Sequence, residues 1–166
     1  RTSRRQRQMC IRDSENRNAD GINGQSLHLH PKQVGGAILS IDAMSPKSAW
    51  LWAGTDWQKD INRSLVINLI GVELSSKDPD HLCSRWERAL GIKRSVSSDV
   101  SIKLEKSKIQ FVEDDNLDIE RVSAFILSTN KSKEIREKAK TMGVLSKNKI
   151  ELGGINFLLS DIKEIH

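Results

Sequence analysis

The pattern of apolar and polar positions over the last hundred residues says the same thing twice. Residues 66–75 read as a strand, with Ile70, Val72 and Leu74 on one side and Gly71, Glu73 and Ser75 on the other. Asp78-Pro79 has the form of a helix start, a capping carboxylate followed by proline at the first helical position. Leu82, Trp86 and Leu90 then recur at helical spacing with Cys83 beside them, which predicts one buried stripe closed by Gly91. Residues 100–104 alternate and are expected to pair with residues 109–112 as a hairpin.

From Val122 the order recurs: a strand to Ser128, Asn130 as cap, a helix stripe of Ile135, Ala139 and Met142, and a hairpin turning at Gly153-Gly154. Gly91 and Gly143 lie 52 positions apart, and that offset lays residues 123–127 over residues 71–75. The repeat therefore covers 64–116 and 117–166. It predicts an α+β domain of paired modules, two curved sheets forming a cup with the helices outside, and any site lies between the modules.

Upstream the signal weakens. Residues 15–26 are polar, hold Asn23-Gly24 and have no period, so they read as loop. Residues 27–30 and 37–41 predict two short strands around a turn marked by Pro31 and Gly35-Gly36. Residues 46–63 form a linker with Trp50, Trp52 and Trp57, in which Trp50 and Trp52 have extended spacing around Leu51.

Composition narrows the function classes. With 166 residues, 37% of them hydrophobic, the chain can bury a real core, and it holds no apolar run of membrane-spanning length and no signal-peptide pattern. Cys10 and Cys83 are too few and too distant for a disulfide framework, so a cytoplasmic protein is expected. The net charge of +5 sits almost wholly in residues 1–14, where five arginines oppose one acid. The remainder is nearly balanced and carries no phosphate-backbone footprint, which argues against nucleic acid as partner. Residues 4–14 resemble the translation of a sequencing-adapter remnant of the kind met in metagenomic gene predictions. That resemblance implies a disordered, artefactual leader on a fragment cut at its 5′ end.

Two stretches resemble the vicinal oxygen chelate superfamily, which includes glyoxalase I, bleomycin-resistance proteins, extradiol dioxygenases and methylmalonyl-CoA epimerase. Residues 71–79, Gly-Val-Glu-Leu-Ser-Ser-Lys-Asp-Pro, with the helix to Gly91 are similar to the family's opening strand and helix. Residues 29–39, Leu-His-Pro-Lys-Gln-Val-Gly-Gly-Ala-Ile-Leu, look like the closing hairpin of an epimerase-type module, which implies that residues 15–45 are the remnant of an upstream module. Metal-dependent members bind a divalent ion through a His or Glu on the first strand of each module and a Glu on the last, and the ion polarises adjacent substrate oxygens. Carried over residue by residue, those positions fall on Gly71, Val112, Ser123 and Leu158, and on Ser40 in the remnant. None of these side chains ligates as His or Glu would. The resemblance thus implies no metal in this fragment, and a divalent metal only together with the missing module.

His28 and His30, two apart on one expected strand, are weak metal candidates because no third ligand stands near them in sequence. Glu73 points by strand phase into the cup, where a carboxylate can bind a polar ligand or act as acid or base; a solvated rim position is the blander alternative. Ser75, Phe125, Trp50 and Trp52 complete the candidate ligand-binding set. There is no phosphate loop at a helix start, and no nucleophile has a base beside it in sequence.

The function expected is binding of a small organic molecule in the cup. The first alternative is a fragment of a metal-dependent enzyme of the superfamily, of epimerase, lyase or dioxygenase type. The second is a non-catalytic interaction module, and pairing of modules between chains makes a homodimer a further expectation. Removal of residues 1–14 is expected to leave the thermal midpoint of residues 64–166 unchanged, and a clear fall in a melting experiment would refute the leader reading.

Overall fold

The computed structural model describes residues 11–162 apart from residues 20 and 55. Most of the arginine-rich leader, with Cys10, lies outside the described residues. The chain divides into two units, the first ending at Ile61 and the second beginning at Asn62.

The first unit is a three-stranded antiparallel meander of β1 (Ile11–Ala19), β2 (Ile22–Leu29) and β3 (Leu39–Ser45). The loop expected over residues 15–26 is therefore strand. Its turn sits at Gly21, which holds φ +78°, and not at Asn23-Gly24. The reason is plain over residues 22–26 of β2, where the buried positions are Gly24 and Ser26, so burial alternates where hydrophobicity does not. Between β2 and β3 the expected turn contains a single helical turn, α1 (Pro31–Val34). Trp52 lies in a 3-10 turn, Leu51–Ala53, and not in extended chain. Gly54 follows at φ +85°, and the Trp50 and Trp52 rings meet edge to face at 5.5 Å.

The second unit holds the repeat. The first module runs β4 (Asn68–Ser76), α2 (Pro79–Leu90), β5 (Ser101–Lys103) and β6 (Lys108–Glu113). The second runs β7 (Arg121–Thr129), α3 (Ser132–Thr141), β8 (Leu145–Ser146), β9 (Lys149–Leu152) and β10 (Ile155–Asp161), a βαβββ order. This is the α+β architecture of paired glyoxalase-like modules that the repeat predicts. The two module sheets meet edge to edge through β4 and β7, so they are continuous as seven strands in the order β5-β6-β4-β7-β10-β9-β8. Within each module the first and last strands are parallel (β4 with β6, β7 with β10), whereas β4 and β7 are antiparallel. Right-handed crossovers in two modules so related place α2 and α3 on the same face of the sheet.

Local chemistry sets the helix ends. The Asp78 side chain accepts from the His81 N–H at 2.9 Å, and Gly91 in the left-handed region donates its N–H to the Glu87 carbonyl. At α3 the cap position falls on Lys131, with no side-chain capping bond, and not on the expected Asn130; just before it Thr129 Oγ1 accepts from the Lys131 N–H at 2.9 Å. Because α3 ends at Thr141, Met142 is its cap residue and is 61% exposed, so the buried stripe there is shorter than the spacing suggests. The core under α2 is dense: Leu82, Cys83 and Trp86 pack over Leu74, Ile109 and Phe111, with the Trp86 and Phe111 rings 6.2 Å apart. Burial pushes the Cys83 thiol above its ordinary pKa, as expected of an inert core cysteine. Arg94 fastens the segment after α2 back onto that helix through Asp80 at 2.5 Å and Glu87 at 3.1 Å.

Leu74 is fully buried between β6 and β7. Leu74→Ala is expected to cost about 2–5 kcal/mol. Urea denaturation should show it as a lowered midpoint with an unchanged slope.

Candidate functional site

The seam between β4 and β7 decides which side chains share the face opposite the helices. Both strands are nine residues long and start at Asn68 and Arg121, an offset of 53 and not the 52 suggested by the helix-closing glycines. The difference arises because Gly91 stands twelve positions after the start of α2 at Pro79, whereas Gly143 stands eleven after the start of α3 at Ser132. Under the strand offset Gly71 corresponds to Ala124, and the Ser123 assigned to that place corresponds to Ile70. Val72 stands opposite Phe125, two equivalent positions, so the local twofold passes through that pair.

On either side of the pair the register slips by one residue, first at Ile70 on β4 and then at Ser123 on β7. The two slips are related by the same offset of 53. A β-bulge bends its strand, sharpens the twist and re-aims the extra side chain. Here Ser123 is turned onto the face of Glu73, and its hydroxyl donates to Glu73 Oε1 at 2.8 Å.

Register sorts the remaining candidates. Leu74 pairs with Phe111, which touches Trp86 of α2, so Val72, Leu74, Ile109 and Phe111 make up the helix face. Gly71, Glu73 and Ser75 lie on the other face, beside Lys108, Gln110 and Val112 of β6. Ala124 pairs with Glu73 and with Asn156, and Ile126 pairs with Gly71 and with Leu158. The face opposite the helices therefore brings together Glu73, Ser75, Gly71, Val112, Ser123 and Leu158, of which Gly71, Glu73, Ser75 and Ser123 are buried. Phe125 is not among them: it pairs with Val72 and packs its ring 5.8 Å from Phe157, on the helix face.

Glu73 is the chemical centre of this face. It is 8% exposed, so it is not the solvated rim carboxylate that strand phase alone allows. The Ser123 hydroxyl is the one hydrogen-bond donor to its side chain among the described residues, and Oε2 accepts from none of them. Ser123 is held in turn by the side-chain amide of Asn156, which donates to the Ser123 carbonyl at 3.3 Å. The result is a polar line Glu73–Ser123–Asn156 across β4, β7 and β10. Asn156 is absent from the candidates that sequence suggests. The only available signal was a polar residue at an inward phase of an otherwise apolar strand.

At the position where the family carries a first-strand ligand, the residues do not fit a metal. A Cβ on Gly71 would stand 3.0 Å from Ile126 Cδ1 and 3.0 Å from the Lys108 carbonyl oxygen. The space that a ligating side chain would need is thus taken by Ile126 and the backbone of β6. Among the described residues no group of three or more His, Cys, Asp or Glu side chains is arranged to hold a metal ion.

In the first unit His28 and His30 belong to different elements, whereas Trp50 and Trp52 meet ring to ring. His28 lies in β2 opposite Ser40. His30 is the cap of α1, its Nδ1 accepting from the Lys32 N–H at 3.1 Å. Ser40 donates to Asp42 at 2.8 Å. Trp50 is 42% exposed against Trp52.

No family model and no curated protein matches the sequence. Solved structures do. A hypothetical protein from Staphylococcus aureus matches with a TM-score of 0.56 and 9% identity over 90% of this chain, which spans 55% of that protein's length. Methylmalonyl-CoA epimerase from Mycobacterium tuberculosis matches at 0.46 and 12% identity, over 61% of this chain and 91% of the epimerase. A hypothetical protein from Bacillus halodurans C-125 matches at 0.42 and 13% identity, over 60% of this chain and 96% of that protein. At these identities the likeness is one of fold.

Gly71→His is expected to destabilise the second unit by about 1–3 kcal/mol through overpacking against Ile126 and β6. Urea denaturation of the variant checks this, and an unchanged midpoint would show that the space above Gly71 yields readily.

Proposed function

We propose that this chain carries a glyoxalase-like module pair that binds a small organic molecule on the face of its seven-stranded sheet opposite the helices, with Glu73 as the polar anchor. The reading rests on one observation. A carboxylate buried to 8% exposure has a single donor on one oxygen and none from the described residues on the other. Glu73 Oε2 is not among the buried unpartnered atoms of the described residues, so it keeps access to solvent and is free to accept from a ligand hydroxyl, amide or ammonium group. The role proposed here uses no metal at Gly71, Val112, Ser123 or Leu158, whose side chains offer neither imidazole nor carboxylate. Epimerase activity is not carried over from the structural neighbour, because a shared fold hosts many chemistries.

The test is a fragment screen of small hydroxy acids, amides and amines, observed by amide chemical shifts in the wild-type protein and in Glu73→Gln. Hits are expected to perturb the strands around Glu73 and Ser123. Loss of a charge-assisted hydrogen bond predicts about tenfold to hundredfold weaker binding by the isosteric variant. Hits that bind both proteins equally would remove Glu73 from the site.

A further inference from the structure

The hairpin of β8 and β9 carries polar groups that the Glu73 anchor does not use. Ser146, Lys147, Asn148, Lys149 and Glu151 of that hairpin, with Asn156 of β10, line a cavity of about 370 Å³. Five of the six are exposed, so it is an open surface concavity. Register fixes which way the cavity opens. Ser146 pairs with Lys149, and Glu151 pairs with Asn156, whose other partner is Ala124, opposite Glu73. The hairpin side chains Ser146, Lys149 and Glu151 therefore share the face of Glu73, and Asn156 belongs to both groups.

The charge of the cavity favours an anion. Two lysines stand against one glutamate, and neither lysine forms an ion pair among the described residues. Ser146, Asn148 and Asn156 add neutral donors. Lys147 also holds φ +53°, the one non-glycine residue in the left-handed region among the described residues. A lysine is strained there relative to glycine, so a cation is fixed at the tip of the hairpin where Gly or Asn would be easier. The turn is steadied from α3, since Arg136 donates to the Asn148 carbonyl at 3.1 Å.

We infer that this cavity is the anion subsite of the same ligand, holding a carboxylate or phosphate group between Lys147 and Lys149 while hydroxyls of the ligand reach Glu73. The inference rests on the Glu73 reading. β4 and β9 are three strands apart, about 14 Å at ordinary strand spacing. An extended hydroxy acid or sugar phosphate of five or six carbons bridges the part of that distance left when the Lys149 and Glu73 side chains lean toward each other.

The experiment titrates the full chain, isotope-labelled and at low ionic strength, with inorganic phosphate, gluconate and ribose 5-phosphate. It compares the wild type with Lys147→Asn/Lys149→Gln, which keeps a residue tolerant of the turn, and with Glu73→Gln. All three probes are expected to shift the amides of residues 146–149 and the Asn156 side chain. The lysine variant should weaken them about tenfold or more. Gluconate and ribose 5-phosphate alone should also shift residues 71–75 and 123, and Glu73→Gln should abolish those shifts while leaving phosphate binding intact. The tighter of the two names the anionic group. Equal binding by the lysine variant, or no binding by any probe at millimolar concentration, would overturn the anion subsite and leave the Glu73 fragment result standing. Probes that shift the hairpin but never the Glu73 strand would overturn the link between the two.

Discussion

The antiparallel pairing of β4 with β7 is the constraint on which the rest of this unit depends. It joins two modules that would each expose an unpaired sheet edge, and it does so about a local twofold through Val72 and Phe125. The bulges at Ile70 and Ser123 are a product of that symmetry: each strand accommodates one extra residue at the same place in its own module. Two bends placed symmetrically about the seam curve the sheet where the modules meet, and they turn Ser123 toward Glu73.

It follows that the polar line on the face opposite the helices belongs to neither module alone. Glu73 comes from the first, and Ser123 and Asn156 come from the second. The equivalents of Glu73 and Ser123 under the repeat are Ile126 and Ile70, so duplication supplied the frame and divergence supplied the chemistry. One half of the seam is apolar, with Ile126 over Gly71. The other half is polar, with Glu73 beside Ala124. A symmetrical scaffold thus carries an asymmetrical face.

Much of this was legible in the residues. The strand phase of Val72, Glu73 and Leu74, the Asp78-Pro79 helix start and the recurrence after Val122 all stand in the structure. They rest on local rules of periodicity and capping. What the pattern did not reveal depends on pairing across the seam. Glycine-to-glycine spacing measures helix length together with strand offset, so it placed Ser123 over Gly71 when the strands place Ala124 there. A bulge leaves no mark in hydrophobicity, so simple alternation left Phe125 among the ligand-binding candidates when register puts it under the helices. In β2 the inward positions Gly24 and Ser26 carry too little apolar area to show a period at all.

The contact between Gly71 and Ile126 bears on how this face can change over time. A side chain at 71 meets both Ile126 Cδ1 and the Lys108 carbonyl at 3.0 Å, so its neighbours must give by a few tenths of an ångström, and shortening Ile126 leaves a void in the seam. Change at either position is therefore felt at the other, and the backbone of β6 still crowds 71 when Ile126 is shortened.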